Sequence, residues 1–205
     1  MIGWLLAAAV AAAPGWDQAF SARGARGGLE LVAVFTGRDG QDHRVHLWRD
    51  GAARLRRDTE GTRLQVERAP RGGDDLYRVL RAGQAGYRVH QRNLFRIELG
   101  VDFGSLATLL QRPAQPVRVV ALAAASPAAV RPWGGCRWSE VPARGLRVCW
   151  SGRLRIPLAV QEKRGETWTD SLRIETLREG PIAPAVFALP GELREIDLDE
   201  QAAGD

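Results

Sequence analysis

Along most of the chain, apolar and polar residues alternate one for one. Leu29, Leu31, Ala33 and Phe35 alternate with other residues up to a turn at Arg38-Asp39-Gly40, and Val45 and Leu47 resume the pattern before Asp50-Gly51. Ala53 and Leu55, then Leu64 and Val66, continue it, with Glu60-Gly61 between them and a break at Gly72-Gly73-Asp74. Period two marks a strand with one buried face, and Asp-Gly is a hairpin-turn dipeptide. Three more short strands are predicted at Leu76–Leu80, Tyr87–His90 and Leu94–Leu99. Turns about ten residues apart set the rhythm of an antiparallel meander.

One segment changes period. Phe103, Leu106 and Leu110 fall at helical spacing, Asp102 can cap the start and Pro113 stops the far end. This predicts a single short helix over 102–112, about three turns. Strands then return at Val117–Ala123, in a Cys136–Val141 and Leu146–Trp150 hairpin, and in Leu154, Ile156, Leu158 and Val160. Trp168, Leu172 and Ile174 are expected on one face of the last strand, before a proline-rich stretch from Pro181 to Pro190. The fold class is therefore mainly β (α+β): about ten antiparallel strands in a curved sheet, an open half-barrel, with the helix plugging its concave face.

The 205 residues suffice for one domain with a proper core. The net charge of +5 admits nucleic acid or anionic partners in principle. However, Lys163 is the only lysine among 29 basic residues, and the arginines are spread over many strands. That dispersal argues against a nucleic-acid footprint, which would be a dense patch.

Residues 1–13 carry no charge, and Trp4–Ala13 is an unbroken apolar run. It is too short to span a bilayer and suits the core of a signal peptide, with small residues at Val10-Ala11-Ala12 for cleavage. No basic residue precedes it, so an apolar N-terminal strand is the other reading. No other stretch is long enough to be transmembrane. Residues 14–28, rich in Gly and Ala, read as a flexible lead-in. Cys136 and Cys149 fall in one predicted hairpin. Pairing Trp138 with Val148 matches apolar residues best but sets the cysteines on opposite faces. A shift of one residue sets them directly opposite, so a disulfide and two buried thiols both remain open.

Several local features occur together in one order. They are Trp48-Arg49-Asp50-Gly51, Arg54–Arg57 and Asn93-Leu94-Phe95-Arg96 leading into the helix. Later come Cys136-Arg137-Trp138, Cys149-Trp150, Ile156-Pro157-Leu158, and Ala185-Val186-Phe187-Ala188-Leu189-Pro190. This succession resembles the lipoprotein-carrier (LolA-like) superfamily of periplasmic proteins, over roughly residues 28–198. The resemblance implies an open barrel with a helical lid over an apolar cavity, binding acyl chains or envelope proteins without chemistry. It divides the chain into a signal peptide (1–13), a lead-in (14–28), a single LolA-like β domain (29–198) and an acidic tail (199–205).

No catalytic signature stands beside it. There is no nucleophile elbow, P-loop or dinucleotide fingerprint. His43 and His46 sit on a predicted strand and point to opposite faces, so they cannot share a metal. No cofactor is expected. The expected function is non-enzymatic binding of a lipid or lipoprotein acyl chain by a monomeric, exported, periplasmic protein. The cavity residues would be Phe35, Leu47, Phe95, Phe103, Leu106, Leu110, Trp138, Leu158 and Trp168. The alternative is an interaction, scaffold or sensor module with a side-chain-filled core that meets another envelope protein. In that case the acidic tail would fold back onto an arginine-rich face.

Overall fold

The computed structural model describes residues 13–200 except 38, 71–72, 83–84, 98, 100 and 190–194. The expected leader through Ala12, the turn residues Arg38 and Gly72, Pro190 to Arg194 and residues 201–205 of the tail lie outside the described residues. Twelve strands are formed: β1 (Gly28–Thr36), β2 (Asp42–Asp50), β3 (Arg54–Thr59), β4 (Thr62–Glu67), β5 (Leu76–Arg81), β6 (Gly86–His90), β7 (Val120–Ala121), β8 (Arg137–Val141), β9 (Leu146–Ser151), β10 (Ile156–Arg164), β11 (Thr167–Glu179) and β12 (Glu195–Asp197). They make one curved, unclosed sheet in the order β12-β6-β5-β4-β3-β2-β1-β11-β10-β9-β8-β7. This is the expected open half-barrel. The strands beyond the expected ten include the short edge strands β7 and β12, too short to carry a readable period. β12 runs parallel to β6, so the sheet is not wholly antiparallel. Leu94–Ile97, expected as strand, is 3-10 helix.

The alternation determines which face is buried. Leu29, Leu31 and Ala33 of β1 pair with Arg49, Leu47 and Val45 of β2, and these in turn with Leu55, Arg57 and Thr59 of β3. Leu64 and Val66 of β4, Tyr77 and Val79 of β5 and Val89 of β6 extend this inner face. Leu31, Leu47, Leu55 and Tyr77 have no exposed surface. The β3–β4 link is a two-residue hairpin in which both Glu60 (φ 44°) and Gly61 (φ 76°) adopt the positive φ that such a turn demands.

Two helical pieces close the inner face. α1 (Trp16–Ala19) and the following Phe20 lie in the segment read as a lead-in. Trp16 and Phe20 are instead buried in the core, and Phe20 meets Trp150 edge-on at 5.5 Å. α2 (Phe103–Thr108) is shorter than the 102–112 expected. Asp102 caps it, accepting from the Ser105 amide at 2.9 Å. Its far end is set by Leu109, whose left-handed backbone (φ 55°) breaks the helix and tucks Leu110 inward, well before Pro113.

The outer face is covered in part by the chain that leaves β11. Gly28 permits this exit, because a Cβ there would meet the Gly180 carbonyl at 2.1 Å. Arg56 donates to the Val186 carbonyl at 2.7 Å, and the Arg54 guanidinium lies 4.5 Å over the Phe187 ring. The chain then reaches the far edge, where β12 docks on β6. Arg78 faces Glu195, Arg88 faces Asp197, and His90 Nδ1 meets Asp199 at 2.8 Å. The 195–199 segment thus lies against basic side chains at a sheet edge and covers it, which blunts unwanted strand pairing.

Cys136 and Cys149 are joined by a disulfide with Cα atoms 5.2 Å apart. The hairpin pairs Trp138 with Cys149. This is one residue from the best apolar pairing, in the opposite sense to the register that would align the cysteines. The cysteines are then diagonal neighbours on the outer face. Counting apolar pairs on one face misled because both faces of β9 are buried here. Cys149 is fully covered, and Trp138 lies beneath the 122–136 segment, donating from Nε1 to the Ala125 carbonyl at 3.1 Å.

Candidate functional site

The site is the inner face of the sheet where α1 and α2 cover it. Five of the nine expected cavity residues meet there as buried neighbours: Leu47, Phe103, Leu106, Leu110 and Leu158. Phe35 packs against this cluster while remaining partly exposed. The other three are elsewhere. Phe95 projects outward in the 3-10 turn before α2 and is 73% exposed. Trp138 is on the outer face, as described. Trp168 is also on the outer face, beneath the Arg147 guanidinium at 4.0 Å. The strand expected to carry Trp168, Leu172 and Ile174 on one side contains a register shift between Leu172 and Asp170. That one-residue bulge turns Trp168 over, because a single inserted residue reverses every later side chain.

Three features of the site are invisible to simple patterning. Trp16 of α1 and Phe20 just after it line the site. Arg49 stands on β2 in line with Val45 and Leu47 and is only 3% exposed. Its guanidinium donates to the Ala107 carbonyl at 3.2 Å, to the Arg155 carbonyl at 3.1 Å and to the Leu154 carbonyl. Ala107 belongs to α2, while Leu154 and Arg155 form the turn entering β10. One side chain of the sheet therefore ties down the last turn of α2. No carboxylate among the described residues pairs with Arg49, and its Nε has no hydrogen-bond partner. Burial lowers its pKa to about 10, so the group is still charged at neutral pH. A buried cation held only by backbone carbonyls is costly for stability alone.

The middle of the inner face is filled by side chains, and room remains at its two ends. At the end near the start of α2, a cleft of about 400 Å³ is lined by Phe20, Arg68, Asp102, Phe103 and Arg112 among others. At the other end a smaller pocket of about 220 Å³ lies beneath the Leu109–Gln111 segment, walled by Phe35, Val45, Leu146, Val160 and Leu172. Arg57 and Arg144 border this second pocket.

The histidines form no shared site. His43 is on the inner-face register and His46 on the outer. Among the described residues no cluster of three His, Cys, Asp or Glu side chains could hold a metal ion. His43 lies at the rim, its Nε2 3.1 Å from Asp39 and its Nδ1 bonded to Glu60. Hydrogen bonds first to Asp39 and then to Glu60 raise its pKa above the ordinary value. A raised pKa stabilises the fold fully below the unfolded value of about 6.5, and that contribution is lost as pH rises through the folded value. The melting-temperature gap between wild type and His43→Asn is therefore expected to be wider at pH 5.5 than at pH 9. An equal gap at both pH values would show that the ring's charge does not matter.

No family model matches the chain, and no curated protein does. Among the described residues no helix is long and apolar enough to cross a membrane. The disulfide is compatible with export to an oxidising compartment.

Proposed function

We propose that the protein is a non-enzymatic, exported envelope protein of the lipoprotein-carrier type. It holds a hydrophobic ligand, a lipid or a lipoprotein acyl chain, between its curved sheet and α2. The observation that carries this reading is the Arg49 tie. A charged side chain spends its hydrogen bonds on fastening a six-residue helix over an apolar face. A residue chosen for packing would do that more cheaply as leucine. A tie made of a few hydrogen bonds can be broken and remade, so α2 acts as a lid whose release exposes Leu47, Phe103, Leu106 and Leu110. The smaller of the two openings supports the same reading, since its walls of Phe35, Val45, Leu146, Val160 and Leu172 extend the apolar space that an opened lid would reveal.

The energetics are adequate for carriage. Each buried methylene contributes about 0.8 kcal/mol, so ten give roughly 8 kcal/mol, a micromolar-range affinity before the cost of opening. Periplasmic location and the LolA-like assignment belong to this proposal.

Native mass spectrometry tests it. Protein purified from a membrane-containing lysate, or mixed with phospholipid, is expected to carry a lipid-sized mass increment. Recovery as bare protein under both conditions would refute carriage and favour an interaction module with a filled core, a reading that the packed middle of the inner face supports.

A further inference from the structure

We infer that the ligand is a single-chain amphiphile with a monoanionic head, a fatty-acid-like carboxylate, and that Arg57 receives that head in the 220 Å³ pocket. This inference rests on the proposed function above and names its ligand class. Arg57 sits in mid-β3 on the inner-face register, between Leu47 and Leu64. A cation there is unexpected in an apolar wall. Its Nε donates to the Thr59 hydroxyl at 3.2 Å, and its guanidinium lies 5.9 Å from the Phe35 ring centre. Among the described residues its terminal amino groups have no hydrogen-bond acceptor and no carboxylate pairs with it. Burial alone depresses its pKa. Arg57 is half-buried and lines the pocket with its terminal amino groups unpartnered among the described residues, so an anion entering the pocket can bond to them directly.

The rest of the pocket fits a small acid with an alkyl tail. Phe35, Val45, Leu146, Val160 and Leu172 are apolar. Arg144 at the same pocket is held by the Gln111 carbonyl at 2.8 Å rather than by a carboxylate. Glu162 is the one acid among the lining residues. Two guanidiniums against one carboxylate leave a single positive charge, which matches a monoanion better than a dianionic phosphate. The guanidinium fork suits a carboxylate bidentately. At about 30 Å³ per water-sized group, the space takes roughly seven groups, a head and a medium-length chain.

Isothermal titration with octanoate and with 1-octanol tests the head and the chain separately. Octanoate is expected to bind wild-type protein at least tenfold more tightly than octanol. In Arg57→Gln that preference is expected to collapse through loss of octanoate affinity, with octanol unchanged, while Arg57→Lys keeps part of it. Equal affinity of the two probes for wild type would overturn the inference and leave the carrier reading standing. A loss of both probes in Arg57→Gln would also overturn it, since Arg57 would then be only structural. If wild type binds neither probe, the inference fails, and the mass-spectrometric experiment separately decides the carrier reading. The wild-type comparison needs no variant, so it stands even if Arg57→Gln fails to fold.

Discussion

Replacing Arg49 with leucine is expected to free α2 while leaving the sheet folded. The substitution removes the three hydrogen bonds to Ala107, Leu154 and Arg155 and keeps an apolar side chain in the gap. It also removes a buried charge, so the sheet does not lose what a broken ion pair would cost. Carbonyls left without a donor cost about 1–3 kcal/mol, which raises the open population roughly 5- to 150-fold. Amide exchange over Phe103–Thr108 should accelerate by that factor in Arg49→Leu, with the amides of β1 and β2 unchanged. Arg49→Lys should fall between, because one ammonium cannot span three carbonyls in the manner of a planar fork. Uniform acceleration across the sheet would instead make Arg49 an ordinary core residue.

Loss of the disulfide should produce the largest change in global stability. It closes a loop with a sequence separation of 13 and ties the 122–136 segment to β9 in the sheet. Cys136 is held again by Ser126, whose Oγ accepts from the Cys136 amide at 2.8 Å. A loop of this size contributes about 3 kcal/mol, and for a chain of this length each kcal/mol moves the melting temperature by roughly 2–4 °C. Calorimetry of the Cys136→Ser/Cys149→Ser protein should therefore show a fall of roughly 6–12 °C. A melting temperature unchanged by the substitution would mean that the bridge adds nothing to the fold.

The strands and the inner face were legible because nearly every strand has one wet side and one dry side. Leu29, Leu31 and Ala33, or Val45 and Leu47, reveal that face directly. The failures have common physical causes. The β11 bulge reversed Trp168, and inserted residues leave no mark in composition. Trp138 was misplaced because both faces of its hairpin are covered, so burial no longer identifies the inner side. Trp16 and Phe20 sit in a single helical turn amid Gly and Ala, too short to show a period. Leu109 ended α2 early through backbone conformation alone. Arg49 and Arg57 carry part of the resemblance, but their place on the inner face is hidden because a charge normally marks the wet face. For these two arginines only the strand register gives a signal: Val45, Leu47 and Arg49 lie on one side of β2, and Leu55 and Arg57 on one side of β3.

Carriage of a ligand between sheet and helix requires α2 to be a lid over the inner face. Amide exchange of wild-type protein with and without added phospholipid tests this most directly. Ligand is predicted to change protection at Phe103–Thr108 and at the Leu154–Arg155 turn selectively, while the central strands β1 and β2 stay unaltered. Identical exchange with and without lipid, with α2 opening only when the whole sheet unfolds, would contradict it.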